Sequence, residues 1–265
     1  MTGRKKSANR PRRSGAESLR RMIPILTGLA GCLVSWQLLS LAAGLPAFIL
    51  PGPGIVADRF ARVVADGSLF RNTLYTLAEV LAGMAFGVGA AALLGYWIGK
   101  SRLAEEILSP YIVATQAIPV VAIAPLLFIW IGSGLAAKVL ICALIVFFPV
   151  LVNTVVGMRS VSHNLRELMR SLGATGWQNF RYLELPAALP ILLGGLKVGA
   201  TLSVIGAVVG EFIAPDRGLG YVISVARGQY DTALVFVGVF TLVGMALMLY
   251  GLVDWAERRF LAWRG

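Results

Sequence analysis

Residues 158–188 read MRSVSHNLRELMRSLGATGWQNFRYLELPAA, and they lie between two long apolar runs, Leu135–Gly157 and Leu189–Ile213. Connections within helical bundles usually take about 2–8 residues, so a polar segment of this length must carry structure of its own. It predicts two short helices around a glycine. Asn164, with Glu167 three residues later, has capping-box spacing, and Leu165, Leu168, Met169 and Leu172 recur at i, i+3, i+4 and i+7. Gly173 fits the position after a helix, where positive φ costs glycine little. Thr175 and Gln178 form a second capping box, opening a turn or two that presents Trp177, Phe180 and Leu183, and Pro186 is expected to stop it. Such an amphipathic element admits two readings. It is either an interfacial helix held on lipid with the help of Arg166, Arg170 and Arg181, or a knob that fills a groove on a partner protein.

The rest of the chain is mostly membrane. Of 265 residues, 57% are hydrophobic and 14% charged, and the mean hydropathy is +0.78. A soluble domain carries about 25% charged residues, so a single soluble domain is excluded, and the hydrophobicity excludes disorder. Two cysteines, Cys32 and Cys142, both inside apolar runs, exclude a disulfide scaffold. Six runs are long enough to cross a bilayer as helix: Met22–Gly44, Leu74–Ile98, Ile107–Ile131, Leu135–Gly157, Leu189–Ile213 and Ala233–Ala256. None alternates like a barrel strand, so the expected fold class is an all-α integral membrane protein of six transmembrane helices, with the 158–188 segment between spans 4 and 5. Met22–Gly44 is longer than a signal-peptide core and is read as a retained span. Residues 1–21 form a basic tail expected to be disordered, residues 22–258 a single membrane domain, and residues 259–265 a short tail. The net charge of +11 could suggest nucleic acid. Distributed over the expected loops, however, seventeen Lys and Arg fall on the side of the termini and five on the other. That bias places both termini in the cytoplasm and gives no reason to invoke nucleic acid. On the opposite side, Ile55–Val64 predicts an amphipathic helix after a Pro-Gly turn, and Pro215–Gly220 a second turn cluster.

Glu167-Leu168-Met169, three residues, Gly173, nine residues, then Leu183-Glu184-Leu185-Pro186 resembles the EAA loop of binding-protein-dependent ABC importer permeases. The spacing is met throughout. Leu168 and Met169 replace two alanines and Leu183 replaces isoleucine, all apolar changes. The segment also precedes the last two of six spans, the position it has in that family. Thr115-Gln116-Ala117-Ile118-Pro119, Ala124-Pro125-Leu126, Trp130-Ile131-Gly132, Phe148–Thr154 and Gly210-Glu211-Phe212 resemble the nitrate/sulfonate/taurine branch, so the likeness runs from about residue 22 to the C-terminus. The resemblance implies a type I importer permease in the inner membrane. It implies a second permease subunit, in the simplest case another copy of this chain in a homodimer and otherwise a paralogue in a heterodimer. It also implies an ABC ATPase dimer that holds ATP and Mg, and an extracytoplasmic solute-binding protein. It further implies that Arg166, Glu167, Leu168, Met169, Arg170, Gly173, Ala174, Trp177, Phe180, Leu185 and Pro186 couple the ATPase to the spans. The implied solute is sulfonate-, taurine- or nitrate-like, or a vitamin or its precursor.

The chain carries no expected catalytic site, metal site or cofactor of its own. Gly95–Ser101 is one residue short of a phosphate-binding loop and closes a span rather than following a strand. The single histidine, His163, cannot build a His-rich metal or triad site. Burying polar groups in lipid is costly, so Glu79, Gln116, Asn153, Thr154, Thr201, Ser203 and Glu211 are candidates for a translocation pathway. For Glu79 and Glu211 a helix-end carboxylate at the interface stands beside a carboxylate that gates or pairs with a cation. Polar residues also join helices to one another. Lys138 and Lys197 share the ambiguity. A membrane-embedded lipid-modifying enzyme or a scaffold without a pathway are the alternatives in other classes; the enzyme would need clustered Asp, His or Arg.

Overall fold

The computed structural model describes residues 15–42, 44 and 46–261. Its elements are α1 (Gly15–Ala42), α2 (Pro53–Ala65), α3 (Ser68–Lys100), α4 (Arg102–Gln116), α5 (Val120–Ile131), α6 (Leu135–Arg159), α7 (His163–Ser171), α8 (Gly176–Asn179), a π-helical turn (Phe180–Glu184), α9 (Leu185–Ile213), α10 (Leu219–Gly228) and α11 (Thr232–Phe260). All the regular structure among the described residues is helical, as the apolar runs require: in lipid a helix satisfies its own backbone. Residues 1–14 and 262–265 of the two expected tails lie outside the described residues, whereas 15–21 already belong to α1.

Four helical stretches are long and apolar enough to cross a bilayer without interruption, 68–100, 135–159, 176–213 and 232–260. The expected span Ile107–Ile131 is instead a pair, α4 and α5, bent by 89°. Pro119 explains the difference. It lacks an N–H and crowds the preceding turn, so α4 ends at Gln116 and α5 restarts with Pro119 as its N-cap. The first expected span is α1, whose described apolar part, Thr27–Ala42, is short. It leans on α11 through Trp36, which stacks on Phe236 at 5.2 Å.

α3, α6 and α9 form the centre of the bundle, and α11 closes it against α9 and α10. The close packing comes from glycine. A Cβ on Gly87 would lie 2.6 Å from the Ala143 carbonyl oxygen, one on Gly95 2.6 Å from Thr154 Cβ, and one on Gly206 2.9 Å from Cys142 Cα. Small residues let helix axes approach where no hydrophobic force separates protein from lipid. Val80, Ala91, Val146, Val150 and Ala207 fill the layer between. Side chains on the outside, such as Leu93, Trp97, Ile129 and Trp130, are large, apolar and exposed. The bundle therefore has two ends, one bearing α2 and α10, the other bearing α7, α8 and the π turn.

Candidate functional site

At the α7 end, the 158–188 segment folds into two helices around Gly173, with two departures from the expected details. α7 starts at His163 with Ser162 in the N-cap position and no side-chain cap, so the Asn164–Glu167 box does not form. Glu167 meets His163 at 3.5 Å instead. Gly173 has φ +69°, and the amides of Gly173 and Ala174 donate to Arg170 and Met169 at 2.9 and 3.0 Å, closing α7 with a Schellman motif. The Thr175 box does form: Gln178 N–H donates to Thr175 Oγ1 at 3.3 Å, and Thr175 N–H donates to Gln178 Oε1 at 2.7 Å. The second departure is at Pro186, which does not stop the helix. It occupies the first turn of α9, where a missing N–H is tolerated, and the π turn before it lets the helical run continue from 176 to 213.

This segment presents an apolar surface outward. Leu165, Leu168, Leu172 and Trp177 are exposed, Leu172 at 71% and Trp177 at 65%. Inward, Arg166 donates to the Met158 carbonyl at 2.6 Å, fastening α7 to the end of α6. The tie with the most partners is one the sequence reading did not assign, Glu184. Its carboxylate is buried and accepts from Asn179 at 2.9 Å and Tyr96 at 3.3 Å, and it pairs with Lys100 at 3.3 Å. Tyr96 also stands edge-on to Phe180 at 5.3 Å. These contacts tie the π turn to the end of α3. The available signal was a carboxylate inside an otherwise apolar Leu-Glu-Leu-Pro run.

At the opposite end a polar network joins α3, α6, α9 and α10. The first N–H groups of any helix lack intrahelical partners, and in α10 three of them are met by side chains. Gly218 N–H donates to Asn72 Oδ1 at 2.9 Å, Leu219 N–H to Thr76 Oγ1 at 2.8 Å, and Gly220 N–H to Glu211 Oε2. Thr76 Oγ1 in turn donates to Glu211 Oε1 at 2.6 Å. A carboxylate at a helix N-terminus is also favoured by the helix dipole. Gly218 has φ +103°, and a Cβ there would strike the Glu211 carboxylate, so only glycine permits this approach. Lys138, fully buried, pairs with Glu79 at 3.5 Å and with Asp216 in the α9–α10 turn. Partial burial pushes the Asp216 carboxyl up, but the Lys138 hydrogen bond and charge outweigh it and hold the group below its ordinary value of 3.8. Asn72, Thr76 and Asp216 were absent from the sequence-derived candidates. Asn72, Thr76 and Glu79 nevertheless lie on one helical face, a polar stripe legible in the sequence.

Of the pathway candidates, the structure brings only Glu79 and Glu211 into a common network. Thr154, Thr201 and Ser203 donate to carbonyls of their own helices at 2.7, 2.9 and 2.8 Å, and Asn153 donates to Pro149 at 2.7 Å. Gln116 stands apart and exposed, at the α4–α5 break beside a cavity of about 300 Å³ shared with Phe148 and Pro149. Lys197 pairs with Asp254 at 2.6 Å and with Glu257, joining α9 to α11. Among the described residues no group of three His, Cys, Asp or Glu side chains is placed to hold a metal ion.

A glycine-packed bundle of long apolar helices with a capped, apolar-faced helix pair at one end is the architecture of a multi-pass membrane protein. Residues 83–262 match the family model described as binding-protein-dependent transport system inner membrane component. The riboflavin transport system permease protein RibX of Chloroflexus aurantiacus is 47% identical over 87% of this chain and 86% of its own length. The formylaminopyrimidine transport permease protein ThiX of Halalkalibacterium halodurans is 33% identical over 88% and 92%. The putative aliphatic sulfonates transport permease protein SsuC of Bacillus subtilis is 31% identical over 86% and 83%. A crystal structure of an amino acid ABC transporter shares the fold, with a TM-score of 0.59 at 20% identity over 75% of this chain and 97% of its own. The chain belongs to the binding-protein-dependent transport system inner membrane component family and is an ABC importer permease subunit.

Proposed function

We propose that this subunit moves a small vitamin or vitamin-precursor solute inward across the cytoplasmic membrane, with riboflavin-like heteroaromatics as the first candidates. The relative named for riboflavin transport is 47% identical, against 33% and 31% for those named for formylaminopyrimidine and aliphatic sulfonate transport. Two copies of the chain form the pathway, a solute-binding protein delivers substrate from outside, and both termini face the cytoplasm, where an ABC ATPase dimer holds ATP and Mg. The outward apolar face of α7 and α8 carries this reading. Leu168 and Leu172 enter a groove on the ATPase, Glu167 supplies a charge contact at its rim, Gly173 sets the bend, and Trp177 and Arg170 stand behind that face, against the cavities that adjoin α7. Met169 and Ala174 back that face, and Arg166, Phe180, Leu185 and Pro186 connect it to α6, α3 and α9. ATP-driven closure of the two ATPase subunits then moves a rigid knob, and the bundle follows.

On the pathway side, Gln116, Asn153, Thr154, Thr201 and Ser203 are proposed to border the route. Glu79 and Glu211 act at its outer end as a gate, Glu79 pairing with Lys138 and Glu211 with Thr76 and the Gly220 amide rather than with solute. The test is uptake of labelled riboflavin, formylaminopyrimidine and taurine by cells carrying the permease with its ATPase and binding protein. Preferential riboflavin uptake that Glu167→Lys or Gly173→Pro abolishes, together with loss of ATPase co-purification, supports the reading. Unchanged uptake and assembly in both variants overturns the coupling assignment, and preference for taurine overturns the substrate class.

A further inference from the structure

Two cavities adjoin behind α7, on the side away from its exposed leucines. The first, about 560 Å³, lies between α3 and the start of α9 and is walled by Leu93, Trp97, Trp177 and Leu192. Its volume falls within the range of about 300–1,000 Å³ that accommodates small-molecule ligands. Leu93 and Trp97 are 68% and 70% exposed on the flank of α3, so the cleft opens sideways, where the bilayer lies. The second cavity, about 290 Å³, shares Lys100 and Gly176 with the first and adds Arg166, Arg170 and Asn179.

The chemistry of this second cavity is only partly spent. Three cations meet there, and Glu184, already paired with Lys100, is the one carboxylate on its wall. Arg166 Nε is buried and has no hydrogen-bond partner among the described residues. Asn179 Oδ1 is in the same condition, while its Nδ2 is committed to Glu184, which fixes the oxygen as a waiting acceptor. A buried donor or acceptor left unpaired is costly, so a ligand offering both an anion and a hydroxyl satisfies the pocket as it stands. We propose that the joined cavities bind one anionic, hydroxyl-bearing phospholipid of the phosphatidylglycerol type. Its phosphate lies against Lys100, Arg166 and Arg170, its headgroup hydroxyl against Asn179, and an acyl chain in the cleft beside Trp97. Basic pockets at the membrane face of helical bundles bind anionic headgroups in this way. The lipid would wedge between α7 and α3 without occupying the outward leucine face.

The experiment is native mass spectrometry of the full chain in detergent with palmitoyl-oleoyl phosphatidylglycerol, the corresponding phosphatidylcholine, or inorganic phosphate, followed by addition of the ATPase subunit. Phosphatidylglycerol is expected to stay bound at one per chain, well above phosphatidylcholine, with phosphate alone not retained. Arg166→Gln and Arg170→Gln should each lower that retention by roughly fivefold, the order expected for one juxtamembrane charge. Arg166→Gln also removes the tie to Met158, so Arg170→Gln, on an exposed side chain, and the charge-keeping Arg166→Lys separate lipid loss from misfolding. Equal retention of both lipids, a preference surviving Arg170→Gln and Arg166→Gln, or phosphate binding as firmly as lipid would each overturn the proposal. So would stoichiometric displacement of the lipid by the ATPase, which would assign the pocket to the protein interface. Transport need not be measured, so failure here leaves the substrate and coupling readings untouched.

Discussion

Lys138 concentrates the energetics of single residues in this molecule. The residue is 1% exposed, and its ammonium is shared between Glu79 on α3 and Asp216 in the turn before α10. Breaking a buried ion pair by removing one partner costs about 3–5 kcal/mol, because the other charge stays buried and unpaired. Lys138→Met is therefore expected to lower the thermal midpoint of the detergent-solubilised chain markedly, and adding Glu79→Gln should recover part of the loss. A fall in the single variant no larger than that of an exposed-site control would refute the account. Asp216 adds a pH dependence whose sign is set by its lowered value. A depressed carboxyl stabilises the fold above its unfolded value, 3.8, and that contribution is lost as pH falls through the folded value below it. Asp216→Asn should thus flatten the acid limb of the stability profile below about pH 4. The same limb in wild type and variant would place the effect elsewhere.

Among the elements, the helix pair α7–α8 is held more by its ends than by its interior, for the short α8 has only four residues. Isolated helices of that length do not form in water, so the Thr175–Gln178 box and the Schellman closure at Gly173 carry the local order. Thr175→Ala removes one half of the box and is expected to cost about 1 kcal/mol locally. Amide exchange should then accelerate at Trp177–Phe180 while α3 and α6 keep their protection. Uniform acceleration across the bundle would show that the box supports the global fold instead. The boundaries of this pair were largely legible, because capping and glycine chemistry act within a few residues. Pro186 misled for a physical reason. Proline is excluded from helix interiors but tolerated in a first turn, and only the π turn at Phe180–Glu184 decides which case applies. Pro119 has the opposite history, since a continuous apolar run hides a bend that the missing N–H enforces.

For the molecule as a whole, the consequence lies in how the two ends are connected. α3, α6 and α9 pack along their length with glycines at the contacts, and the Glu184–Tyr96–Lys100 tie links the proposed coupling element to that block. Glu184→Ala is expected to leave the ATPase complex assembled, because the outward leucine face is untouched, while reducing uptake by about tenfold or more, the equivalent of roughly 1.4 kcal/mol of lost coupling. Loss of assembly together with uptake would mean that Glu184 shapes the docking face itself. Normal uptake would show that the tie transmits nothing.

Composition and periodicity by themselves determined that this chain is helical and membrane-embedded, and the residues from Glu167 to Pro186 carried the resemblance to importer permeases that the family match bears out. Helicity and membrane embedding follow from hydrophobicity and from hydrogen bonds made within one turn, both of which are local. Only the tertiary structure decided what the buried polar groups do. Asn72, Thr76 and Glu211 are far apart in sequence, and their meeting at the first amides of α10 depends on how α3 and α9 pack. The same holds for Lys100 and Glu184, which pair because a π turn aims one side chain at the end of another helix. A burial cost is visible in the sequence, but the partner that offsets it is fixed only when the helices are in contact.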